Sequence, residues 1–304
     1  MKHIIVFGIF VADLCFFSNN IPLKGQTILG TKHIVGPGGK GSNQAIAAAR
    51  AGGKVNFITK IGNDSNGNMA LSLYKESGVN IESVIVDESL STGVAGIMIN
   101  ETNGDNAINV IPGAAGHLSE KDVNDQNESF NKSEIFLTQL ETPVEVTLYA
   151  IKKAKKLGCV TILNPAPAIT LNKDIFEYLD FFTPNETEAG FYLKKDLNST
   201  KDIESAGEEF LKMGIKNVII TLGDKGSYFA NNDQKFFVDS FKLKSNVIDT
   251  TGAGDAYNGA LSVALANNMN YKDSIEFATK VAGISTTKIG AANSMPTLKE
   301  IENY

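Results

Sequence analysis

The sequence predicts an α/β chain with a mostly parallel central sheet covered by helices on both faces. Two observations carry that expectation. Short apolar runs alternate with amphipathic stretches through the C-terminal half, and glycine or proline closes almost every one of them. A third is size: 304 residues, 42% of them hydrophobic, are enough for one large α/β core.

The elements follow in chain order. MKHIIVFGIF opens the chain as a first strand and runs on into Asp13 without a small-residue cleavage site, so a signal peptide is the lesser reading. Glu134 to Leu140 reads as a strand, Val144 to Leu157 as a helix closed by Gly158, and Val160 to Leu163 as a buried strand ended by Asn164-Pro165. Phe181-Phe182 and a helix from about Glu186 continue the alternation. Lys201 to Met213 is a further helix with Gly214 just beyond it, and Val218 to Leu222 a further buried strand. Two stretches break this rhythm. Leu14 to Val35 carries Pro22, Gly25 and Gly30, and Thr92 to Ile111 reads as two strands around the polar turn Glu101 to Asp105. Both suggest antiparallel strands outside the main sheet, as a small lid or as an ordinary edge hairpin.

Composition removes several function classes. No apolar run reaches the ~18 residues of a membrane span, and Ile4 to Phe17 is interrupted by Gly8 and Asp13. Lys plus Arg number 28 against 34 acids, a net charge of −6 that argues against a broad nucleic-acid surface. Cys15 and Cys159 lack CxxC spacing, so a reducing cytoplasm fits better than a disulfide framework. His3, His33 and His117 are too scattered for a histidine metal site and read as surface residues.

Two glycine-rich segments carry the chemistry. Gly36 to Gln44 (GPGGKGSNQ) precedes an Ala-rich helix, Ala45 to Ala51, that ends at Gly52-Gly53. Glycines there let the backbone approach a ligand and aim amide hydrogens at it. Gly36, Gly38 and Gly41 satisfy G-x-G-x-x-G, but about thirty residues later than a dinucleotide fold places it. Lys40 is followed by Gly41 rather than Ser or Thr, so the Walker A pattern fails too. A bare helix start explains the glycines but not Lys40 and Asn43 together. In the second segment, Val247 to Leu261, a Gly252-Ala253-Gly254 turn opens a small-residue helix at about Ala253. Its free amides and positive dipole end suit phosphate oxygens. Asp255 in the first turn either serves that dipole alone or stands as the general base for an attacking hydroxyl.

These segments resemble both signatures of the ribokinase branch of the PfkB sugar-kinase family, and the resemblance runs from Ile4 to about Thr297. It takes in Gln139-Leu140-Glu141, Asn164 to Pro167, Thr183 to Glu188 and Thr221 to Gly226. It implies a ribokinase-like three-layer sandwich, one sugar-kinase domain over 1–304, with lid segments at about 12–35 and 93–111. It also implies transfer of the ATP γ-phosphoryl to a primary sugar hydroxyl, with Asp255 as base and the amides of Gly252, Ala253 and Gly254 as anion hole. Asp13, Gly39, Lys40, Asn43, Glu141 and Asp255 would bind the sugar. Asn185, Thr221, Gly223, Asp224, Lys225, Gly226, Gly254 and Thr279 would bind the nucleotide. Asn185 and Glu188, three apart on a helix, would organise Mg²⁺ through water, although TPNETE also reads as a plain helix cap. Asp249, Thr251, Ser285, Lys288, Gly290 and Ser294 would form a K⁺ site beside the anion hole, Lys288 through its carbonyl.

Three positions depart from the family pattern. Val11 stands where ribokinases carry Asn, so one sugar hydroxyl loses a partner and 2-deoxyribose stays open beside D-ribose. Gln26 replaces a Glu, and Thr279 an Asn or His near the adenine. An NAD-dependent oxidoreductase leaves Asp249 to Asp255 unexplained. A silent sugar sensor would lack Asp255 or its glycines. A nucleoside or hexose-phosphate kinase is the nearest competitor, and Lys40 as sole cation of the sugar segment argues against a phosphorylated substrate. Val94, Ile97 and Ile99 offer an apolar lid surface for a homodimer.

Overall fold

The strand His3–Phe7 (β1) sends Ile4 and Val6 into one apolar cluster and Ile5 and Phe7 into another, the two-residue period of a strand buried on both faces. That division holds across the computed structural model, which describes residues 2–304. After β1 come β2 (Val11–Ser18), β3 (Lys32–Gly38), α1 (Lys40–Arg50), β4 (Lys54–Gly62), α2 (Ser65–Ser77) and β5 (Val84–Asp87). Next are β6 (Thr92–Asn100), β7 (Asn106–Gly113), α3 (Glu120–Asp125), α4 (Asn127–Lys132), β8 (Ser133–Thr138), α5 (Val144–Lys156) and β9 (Val160–Leu163). The last third holds β10 (Phe181–Phe182), α6 (Glu186–Leu193), α7 (Thr200–Lys212), β11 (Asn217–Thr221), β12 (Ser227–Ala230), β13 (Lys235–Val238), α8 (Ala253–Ala266), α9 (Tyr271–Ser285) and α10 (Leu298–Asn303).

Nine strands form one sheet in the order β13-β12-β11-β10-β9-β8-β1-β4-β5. Only β12 and β13 run antiparallel to their neighbours. The first cluster joins the sheet to α1, α2, α8, α9 and α10, and the second joins its other face to α3 through α7. The expected three-layer α/β sandwich is therefore present. Among the described residues no helix is long and apolar enough to cross a membrane. Both cysteines are free, Cys159 buried and Cys15 half-buried.

A separate four-stranded sheet, β3-β2-β6-β7, is built from the two stretches that broke the rhythm. β3 pairs antiparallel with β2, and β7 with β6, as the local patterns suggested. The central pair does not follow that expectation, because β2 and β6 run parallel from Val11↔Gly93 to Ser18↔Asn100. Each leaves the main sheet in the same direction, so their pairing is set by topology rather than by a local turn.

Strand and helix ends fall within two residues of the sequence reading in the C-terminal half, with Gly158 and Gly214 both at positive φ past their helices. One boundary needs correction. The Ala-rich helix begins at Lys40, five residues before Ala45, so Lys40, Asn43 and Gln44 are helical. Gly41 permits this start: a Cβ there would lie 2.6 Å from the Gly8 Cα at the end of β1.

Candidate active site

The first turn of α1 packs over the C-terminal end of β1, the rim where open α/β sheets bind ligands. Opposite it, Gly252 takes the left-handed conformation (φ 78°) and opens α8 with no side-chain cap. The amides of this first turn thus keep their unpaired, positively polarised end. The Ala253 N–H is an exception, since it donates to the Thr250 carbonyl at 3.1 Å.

Asp255 lies in that turn at 6% exposure. Its Oδ2 accepts from Asn43 Nδ2 and its Oδ1 from Gln44 Nε2, each at 2.9 Å. Burial raises its pKa, opposed by the Lys40 charge and by the Gln44 and Asn43 amides. Burial draws Lys40 down, but the carboxylates of Asp255, Glu141 and Glu188 outweigh it, so the lysine stays charged above its usual range. Glu141 Oε2 accepts the Lys40 backbone N–H at 2.8 Å, and burial pushes its pKa up to about 7. Asp13, on β2, lies against Gly38 so closely that any side chain there would overlap its carboxylate. Burial pushes Asp13 to about 6. Asp13, Gly39, Lys40, Asn43, Glu141 and Asp255 therefore gather on one rim. Lys40 faces three acids, a basin that suits a neutral polyhydroxylated ligand better than an anion.

Asn185 and Glu188 form a reciprocal cap at the start of α6: Asn185 Oδ1 accepts the Glu188 N–H at 2.7 Å, and Glu188 Oε2 accepts the Asn185 N–H at 2.9 Å. The cap reading of TPNETE is thus borne out. Burial raises the Glu188 pKa. A short bridge joins Asn185 to Thr221, which ends β11, and Gly223–Lys225 continue as an exposed 3-10 turn closed by Gly226. Thr279, buried on α9, faces the segment 238–240 against which Gly226 also packs. It lines a groove of about 720 Å³ between α9 and residues 237–242.

Asp249 receives the N–H of Thr251 (2.9 Å) on Oδ1 and of Gly290 (2.8 Å) on Oδ2. Burial raises its pKa, but those bonds outweigh it and hold the carboxyl below the usual range. Ser285 and Ser294 flank Gly290 in the chain and are buried, each Oγ donating to a backbone carbonyl three residues back. The Lys288 ammonium pairs with Glu300, away from Asp249, which leaves only its carbonyl for the role expected of it.

Several residues that the sequence reading quoted only within motifs, or not at all, prove to belong to the site. Gln44, Gln139, Asn164, Thr183 and Asn258 are all nearly or wholly buried and hydrogen-bonded around Asp255. A helix start at Lys40 would have pointed to Gln44, which shares a face with Lys40 at i+4. Arg50, at the far end of α1, donates to the carbonyls of Ala292 (3.0 Å) and Met295 (3.1 Å).

A profile described as pfkB family carbohydrate kinase matches residues 1–298. A ribokinase of Schizosaccharomyces pombe is 38% identical over 99% of this chain and 97% of its own length. A deoxyribokinase of Salmonella typhi is 33% identical over 99% and 98%. The structure of Arabidopsis thaliana ribokinase complexed with ribose and ATP superposes with a TM-score of 0.91 at 26% identity, covering 99% of this chain and 97% of that one. The buried aspartate at an uncapped helix start, the Lys40 basin and these matches lead to one conclusion: the chain belongs to the PfkB family of carbohydrate kinases.

Proposed function

We propose that the protein is an ATP-dependent ribose kinase, moving the γ-phosphoryl of ATP to the primary hydroxyl of D-ribose to give D-ribose 5-phosphate. The observation that carries this reading is Asp255, held by two amides at the uncapped start of α8 and facing Lys40 and Asn43. Asp255 takes the hydroxyl proton as the sugar oxygen bonds to phosphorus and the bond to the ADP oxygen breaks. Its raised pKa strengthens it as a base. Amides of the Gly252–Gly254 turn meet the charge that gathers on the transferred group. Asp13, Gly39, Lys40, Asn43 and Glu141 orient the sugar, and the small sheet acts as a lid over it. Thr221, Gly223, Asp224, Lys225, Gly226 and Thr279 bind the nucleotide.

Among the described residues no three His, Cys, Asp or Glu side chains converge as a metal group. Glu188 offers one carboxylate with Oε1 outside the helix cap, which fits a Mg²⁺ that keeps its water and phosphate ligands. Bound with ATP, that ion neutralises phosphate charge. Asp249 with hydroxyl and carbonyl oxygens of Thr251, Ser285, Lys288, Gly290 and Ser294 fits K⁺, a hard cation that stiffens the neighbouring turn. The lid face opposite Asp13 exposes Phe16, Val35, Met98 and Ile111, which supports a homodimer through the lid; the protein would work in the cytoplasm. Met98→Lys, on that face, should then sediment as a monomer where the unaltered chain sediments as a dimer.

A second reading, 2-deoxyribose, is favoured by Val11. Two residues before Asp13 on β2, it packs with Ile9, Ala95 and Ala115 at 3% exposure and presents no hydrogen-bonding group. A hydroxyl buried there without a partner costs roughly 1–3 kcal/mol, about 5- to 150-fold in preference. Coupled ATP turnover with D-ribose and 2-deoxy-D-ribose, with and without K⁺, separates the two readings. Asp255→Ala should remove turnover with either; turnover with neither sugar would overturn both.

A further inference from the structure

We propose that Gln44 is a positioning residue for Asp255, the centre of a buried amide ring that locks the base to the anion-binding turn. A carboxylate rotates about a broad, two-fold torsion, so one hydrogen bond leaves its plane undefined. Asn43 on Oδ2 and Gln44 on Oδ1 define it. The Gln44 amide is itself fixed in one sense. Its Nε2 also donates to Asn164 Oδ1 at 3.0 Å, and its Oε1 accepts from Gln139 Nε2 at 2.6 Å. Turning it over would set its carbonyl against both Asp255 and Asn164 oxygens.

The chain of bonds continues and returns. Asn164 Nδ2 donates to the Thr183 carbonyl (3.2 Å), Thr183 Oγ1 to Asn258 Oδ1 (2.6 Å), and Asn258 Nδ2 to the Gly254 carbonyl (2.9 Å), beside Asp255. Gln139, Asn164 and Thr183 follow the ends of β8, β9 and β10, so the rigid sheet sets both the carboxylate and the turn. Gln44 is 0% exposed and the other four at most 7%. Gln139 Oε1 and Asn43 Oδ1 are left without a partner, but both sides of the Gln44 amide and both Asp255 oxygens are engaged, which specifies one geometry at the base.

The inference rests on the ribose-kinase reading, and its test keeps the two apart. Turnover of the unaltered enzyme with ribose and ATP comes first; its absence overturns that reading alone. Gln44→Leu should lower kcat about 10- to 100-fold while KM for ATP stays within about 3-fold, the effect of a misplaced reacting group. The acid limb of kcat against pH should move upward, because the carboxylate loses a donor that favours its charged form. The other titratable groups facing Asp255 are Lys40 on α1, Glu141 after β8 and Glu188 on α6, and all three stay in place. Gln44→Glu, nearly isosteric and a safeguard should the leucine variant misfold, shares a proton with Asp255 and should move the limb further. A crystal structure of either variant should show the Asp255 carboxylate turned from its present plane, a readout that needs no activity. An unmoved acid limb, kcat within 3-fold, or an unchanged carboxylate would overturn the proposal, whatever happens to the melting temperature.

Discussion

Asp255 and Glu141 are acids whose neighbours fix how they respond to pH. A general base of this kind contributes about 10²–10⁴-fold, so Asp255→Asn should lose that much kcat and still fold, since a neutral amide is cheaper to bury than a carboxylate. Glu141 titrates at about 7 in the folded protein against 4.5 for a free side chain. The folded state thus holds a proton that the unfolded chain releases, and this group's contribution to stability declines as pH rises from 4.5 to about 7. Glu141→Gln should melt level with the unaltered protein near pH 4.5 and a few degrees above it at pH 8. Thermal melts across that range decide it. Asp255, Lys40 and Asn43 are legible in the sequence because each interrupts a glycine or alanine run with a charge or an amide. Gln44 and Asn164 are not, because buried amides acquire meaning only from partners far along the chain, here 120 residues apart.

At the scale of elements, boundaries in the C-terminal half follow from apolar periodicity and from the glycines that end each helix. The start of α1 does not, because a helical glycine at 41 is explained only by Gly8, which arrives from another strand. Gly41→Ala should therefore cost about 1–3 kcal/mol through overpacking against backbone, read from urea unfolding, where a helical Gly→Ala elsewhere would stabilise. The capping box of α6 permits a similar separation. Asn185→Ala removes a cap and should cost about 0.5–2 kcal/mol of stability. Glu188→Gln keeps an acceptor for the Asn185 N–H, so it should leave the melting temperature nearly unchanged while raising the Mg²⁺ needed for half-maximal turnover. Equal effects of both changes on stability would reduce Glu188 to a structural cap.

The sandwich as a whole is legible from alternating strands and helices, but the parallel β2–β6 pair is not, because no local turn announces it. If both sheets close on a sugar, ribose at 100 times its Kd should stabilise the protein by about 2.7 kcal/mol, measured as a melting shift. The β2–β6 pairing also bears on synthesis. Val11 finds its partner at Gly93, and at about 5–20 residues per second β2 leaves the ribosome several seconds before β6 exists. During that interval β2 can pair only with β3, as a two-stranded hairpin too small to be stable alone. The small sheet therefore cannot close before residue 113 is made, and until then the edge of β2 that β6 will cover stays open on the nascent chain.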